Sequence, residues 1–158
     1  MDVETNSSSL QSLQDRYILT QIGQQQLAFP SQWVAEILLI ERSQVLILPF
    51  YDSAILGVVH HRGQIVPLVA IQQIFEGMAG ATREIISVVQ LSQKADSLAG
   101  IGIVVDRALE NRSHEQFTNA FSEHDHVAVS PQTEQTILLF RPEMLSDRLW
   151  EPQCSQLV

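Results

Sequence analysis

The sequence predicts an all-β chain, a barrel or a sandwich, on three observations. Short apolar runs rich in β-branched and aromatic residues recur between turn-forming clusters. The turns come at regular spacing. Very little of the chain carries the apolar periodicity of a helix. No period of roughly 20–50 residues repeats, which excludes a solenoid.

Residues 1–15 are polar, with Asp2, Glu4, Asp15 and a serine run, and are expected to be a disordered tail. Tyr17–Ile22 reads as the first strand, Gly23-Gln24-Gln25 as a turn, and Gln26–Pro30 as the returning strand. Ser31 can cap a short turn, and Val34 to Ile37 suit either helix or strand entry. Val45–Leu48, ended by Pro49, reads as a further strand. Ile55–His60, a tight turn at His61–Gln64 and Ile65–Ile71 form the clearest hairpin, with Gly63 free to take positive φ. A softer stretch at Gly77–Thr82 divides the chain. Ile85–Leu91, Gly100–Asp106 and Thr136–Phe140 follow as strands, residues 107–135 show no clear pattern, and Pro142–Trp150 reads as a closing helix. The expected organisation is a tail at 1–15, one domain at 16–150 built of two lobes with the second more loosely patterned, and a tail at 151–158.

Nine Lys and Arg against eighteen Asp and Glu give a net charge of −9, and Lys94 is the single lysine. Such a chain cannot neutralise a run of phosphates, which disfavours nucleic acid and an anionic membrane surface as partners. The single cysteine, Cys154, excludes an intrachain disulfide framework. No apolar run approaches the roughly 20 residues of a membrane span, and residues 1–13 carry no secretory pattern. The expectation is a soluble cytoplasmic protein.

No constellation of residues points to catalysis, a cofactor or a metal. His60 and His61 are adjacent in an extended segment and point to opposite faces; His124 and His126 share a face at most with each other, and His114 lies ten positions before His124. Gly100-x-Gly102 before Asp106 lacks the third glycine and the capped helix of a dinucleotide fingerprint. Cys154 lies beyond the last element, where nothing rigid holds a base beside it.

Several segments carry a resemblance. Gly57-Val58-Val59-His60-His61-Arg62-Gly63-Gln64-Ile65-Val66-Pro67-Leu68-Val69 is similar to G-V-[VI]-N-L-R-G-x-[IV]-[VI]-P-[VIL]-[VI]-D-L, Val34-Ala35-Glu36-Ile37 to V-x-E-I, and Gly102–Asp106 to G-[IL]-V-V-D. These are motifs of the CheW-like adaptors of bacterial chemosensory arrays, and the likeness runs from about Arg16 to Leu149. Three positions depart from it: His60 replaces an Asn, His61 a Leu and Ala70 an Asp. They suggest a divergent member, serving a pilus-motility or phototaxis array instead of a flagellar one.

The resemblance implies two intertwined five-stranded SH3-like β-barrels with a groove between them, closed by a short C-terminal helix. It implies a non-catalytic scaffold without cofactor, recruited to membrane-associated receptor arrays. There it would couple a CheA-like histidine kinase, through its regulatory domain, to the cytoplasmic tip of methyl-accepting chemotaxis receptors. The interface residues expected on that basis are Val34, Glu36, Ile37, Gly57, His60, Arg62, Gly63, Gly102, Val104 and Asp106. Several have a plainer reading beside it. Val34 and Ile37 suit a core with Glu36 a solvated charge, Gly57 suits a close backbone approach, and Arg62 suits a staple across its turn. The alternative function is a small-ligand-binding β-barrel sensor, which needs a cavity that barrels of this size usually fill with their own side chains.

Overall fold

The computed structural model describes residues 16–77, 82–113, 127–129 and 136–153. The expected tail at 1–15, His114, His124, His126 and Cys154 therefore lie outside the described residues.

β1 (Arg16–Ile22) and β2 (Gln25–Pro30) form the opening hairpin, with Gly23 at φ +56° in its turn. Buried Leu27 and Phe29 alternate with Ala28, so β2 serves a core on each face. A 3-10 turn at Ser31–Trp33 leads into β3 (Val34–Glu41), which settles the helix-or-strand ambiguity in favour of the strand. Leu38 and Ile40 point inward while Leu39 and Glu41 face solvent.

The strand expected at Val45–Leu48 does not form. A 3-10 turn at Arg42–Gln44 redirects the chain, and Leu46 makes one isolated bridge to Val58. Ile47 is 75% exposed, because beyond that bridge the segment joins no sheet. β4 (Ile55–His61) and β5 (Gln64–Ala70) form the expected hairpin. It ends in a short helix, α1 (Ile71–Glu76), which the sequence does not announce and which Gly77 closes in the left-handed conformation. β6 (Ile85–Leu91) and β7 (Gly102–Val105) follow as expected. β8 (Arg107–Ser113) and β9 (Val127–Val129) lie in the stretch without clear pattern, and β10 (Thr136–Leu139) is the last strand. The closing helix is corrected to two 3-10 turns, Pro142–Met144 and Asp147–Trp150, separated by an extended Leu145; the Ser146 hydroxyl accepts the Arg148 N–H and starts the second turn.

Two five-stranded sheets result, ordered β8-β1-β2-β10-β9 and β3-β6-β7-β5-β4. Each holds one parallel pair, β2 with β10 and β5 with β7. The first barrel takes strands from both ends of the chain and the second is inserted between β2 and β8. β6 and β7, which follow Gly77, complete the second sheet.

The largest apolar cluster joins the sheets: Phe29 from the first and Phe140, just beyond β10, share it with Val69, Val89 and Ile103 from the second and with Leu145 and Leu149. The Phe29 and Phe140 rings stack at 4.8 Å. Leu38, Ile40, Val59, Val66, Leu68, Ile86 and Val88 fill the second barrel, and Leu19, Ala28 and Ile137 line the first.

Candidate interaction surface

One line of backbone pairing crosses the second sheet, from Glu36 on β3 through Gln90, Gly102 and Leu68 to Gly57 on β4. The barrel does not close along that line. Glu36 instead meets the far end of β4: Nε2 of His61 lies 3.0 Å from Glu36 Oε1 and donates to it, since a carboxylate can only accept. This offset is the stagger that closing a sheet into a barrel demands. Glu36 shares its face of β3 with Leu38 and Ile40, and His61 shares its face of β4 with Val59. The pair therefore sits half-buried at the rim of the second barrel's core and joins its two edge strands.

Arg62 and Gly63 form the turn beyond, both at positive φ (49° and 76°), the signature of a tight hairpin whose twist matches its strands. Nothing lies within 4 Å of where a Gly63 Cβ would sit. The Arg62 guanidinium is 75% exposed and 3.5 Å from Glu36 Oε1. A loose exposed pair contributes little stability, about 0–1 kcal/mol. Arg62 is a weak staple with most of its donors turned to water.

The opposite phase of the same strands is apolar and faces solvent. Ile37 and Leu39 on β3 are 41% and 74% exposed, and Ile65, across from exposed His60, is 63% exposed. Leu46 bridges β4 at Val58 and is 66% exposed. Large apolar side chains held at this exposure on β3, on β5 and on the segment bridged to β4 are the kind of surface a protein contact uses.

The remaining expected site residues lie elsewhere. Val34 is partly buried against the inter-sheet core. Gly57 adopts φ +148°, and a Cβ there would lie 2.8 Å from Val45 Cγ1 and collide with the Leu46 carbonyl. Gly102 is buried, and its Cβ would approach Val88 Cγ1 to 2.6 Å and Leu68 Cδ2 to 2.8 Å. Val104 packs partly buried against the second barrel's core. Asp106 Oδ2 accepts the Gly23 N–H at 2.8 Å and ties the β1–β2 turn to the start of β8. Glu36, Ile37, His60, Arg62 and Gly63 are gathered around the barrel closure; Val104 and Asp106 are at the other end of β7.

The sequence reading missed His61, Leu39, Leu46 and Ile65. Leu39 had a signal. In Ile37-Leu38-Leu39-Ile40 both faces of the strand are apolar, which a one-sided core does not require. Among the described residues no group of three or more His, Cys, Asp or Glu could hold a metal ion. No helix among them is long and apolar enough to cross a membrane.

The profile of the family described as CheW-like domain matches residues 16–148. The chain belongs to the CheW-like domain family. The crystal structure of the scaffolding protein TtCheW from Thermoanaerobacter tengcongensis resembles it with a TM-score of 0.57 at 14% identity, over 80% of this chain and 88% of that one. That likeness establishes the fold, two SH3-like barrels. No curated protein matches the chain. Against the CheW-like pattern the three departures now have locations. His61, at the family's Leu, is the Glu36 partner; His60, at its Asn, is exposed; Ala70, at its Asp, is the N-cap of α1 and offers no side-chain cap.

Proposed function

We propose that this chain is a non-catalytic adaptor that couples a CheA-like histidine kinase to methyl-accepting receptors in a chemosensory array. The observation that carries the reading is the solvent-facing apolar surface at the closure of the second barrel, Ile37, Leu39, Leu46 and Ile65, bordered by Glu36, His60 and Arg62. An apolar centre with a polar rim is how protein interfaces are built. The kinase regulatory domain docks on the apolar centre, Arg62 reaches a receptor carboxylate, and Gly57 and Gly63 shape the strand and turn that present them. Membership of the CheW-like family and the fold of a scaffolding protein support the assignment. The charge of −9 keeps lipid headgroups and DNA off the same surface.

Calorimetry with the regulatory domain of a CheA-like kinase tests it. Leu39→Asp, at a position 74% exposed, leaves the melting temperature unchanged and weakens binding by about a hundredfold, as loss of a central interface residue does. Binding by the folded variant at wild-type affinity refutes this docking face.

A further inference from the structure

The end of the second barrel opposite Arg62 is open, where β4, β6 and β7 meet α1 and the end of β1. A cavity of about 150 Å³ opens there, floored by Leu56, Ile86 and Val104 and bordered by Arg42, Arg83 and Asp106. Ser53, Gln72 and Gln73 line it as well, so the mouth is mixed in character, and its volume is enough for a six-carbon ring. Barrel mouths with an apolar floor and a few convergent polar groups are where small ligands bind.

The border gives the ligand its charge. Arg42 Nε donates to the Arg83 carbonyl at 2.9 Å, and Arg83 Nη1 donates to the Asp106 carbonyl at 3.2 Å. Both guanidiniums are positioned by backbone oxygens, and neither is paired with a described carboxylate, although the chain carries eighteen acids. Asp106 Oδ2 is engaged by the Gly23 N–H. Two cations at one opening repel each other, and each keeps N–H donors unused in the fork that suits a carboxylate.

We propose that this mouth binds a small organic monocarboxylate, its apolar body against Leu56, Ile86 and Val104 and its carboxylate between Arg42 and Arg83. The site is separate from the adaptor surface and does not depend on that reading. Because Asp106 also ties the first barrel's hairpin to β8, an occupant would touch both lobes.

The test is an amide-resolved NMR titration of the full chain with benzoate, and with benzamide as the uncharged isostere. Benzoate gives saturable shifts at Ser87, Val104 and Val105, benzamide binds about tenfold or more weakly, and Arg42→Gln/Arg83→Gln loses a similar factor, the loss expected for a charge-assisted hydrogen bond. Both arginines are exposed, so the double variant keeps its fold, which its unperturbed amide spectrum verifies. Absence of saturable shifts at millimolar benzoate, shifts that map elsewhere, equal affinity for benzamide, or undiminished binding by the double variant overturns the proposal.

Discussion

Replacing Gly57 with alanine tests how the second barrel closes. The added methyl meets two obstacles. At φ +148° an L side chain is strained, a cost of about 1–3 kcal/mol. The Cβ would also collide with the Leu46 carbonyl and lie 3.0 Å from the Leu46 carbonyl carbon, so the 45–47 segment must move. That movement endangers the reciprocal hydrogen bonds of the bridge, Leu46 N–H to Val58 O at 2.8 Å and Val58 N–H to Leu46 O at 2.9 Å. Each contributes about 1 kcal/mol. The expected destabilisation is about 3–5 kcal/mol, which lowers the melting temperature by about 6–20 °C in a chain of this size. Gly63→Ala is the control: it shares a positive φ, 76°, but its Cβ meets nothing within 4 Å, so it loses about 1 kcal/mol. Thermal melts followed by circular dichroism compare the two, and amide exchange at Leu46 and Val58 locates the change. If Gly57→Ala melts no lower than Gly63→Ala, the steric account of this closure is wrong.

Ala70→Asp supplies α1 with the side-chain cap it lacks and raises stability by about 1 kcal/mol, read as a rise of about 2–4 °C in the melting temperature. Asp106→Ala leaves the Gly23 N–H without its partner and lowers stability by about 1–3 kcal/mol in urea unfolding, with faster amide exchange in the β1–β2 turn.

The β4–β5 hairpin was legible because its turn chemistry is local: Gly63 sits between two runs of β-formers and takes the positive φ the turn requires. β6 and β7 were legible for the density of Val and Ile. β8 was not. Arg107-Ala108-Leu109-Glu110-Asn111-Arg112-Ser113 has little strand propensity, and only pairing along β1, from Arg16↔Ser113 to Gln21↔Arg107, makes it a strand. Val45–Leu48 failed the other way, being rich in β-formers with no partner strand beyond one bridge. At the C-terminus, Leu145 and Leu149 both reach the core, as helical spacing predicts, but Leu145 does so from the extended link between two 3-10 turns and Leu149 from the second turn. In the candidate site, Glu36, Ile37, His60 and Arg62 were singled out by motif likeness and residue chemistry. The His61–Glu36 contact joins residues 25 apart in sequence through barrel stagger, which periodicity does not encode.

The interleaving of the two sheets bears on how the chain is made. Every strand of the second sheet lies between Val34 and Val105, so that barrel has all its strands once β7 leaves the ribosome. The first has only its β1–β2 hairpin at that point, and an isolated hairpin is marginal in water. Its Phe29 waits for Phe140, more than a hundred residues later, before the stacked pair can form. During synthesis the inserted barrel is the scaffold on which the N-terminal hairpin is held, and the final strands lock the two together.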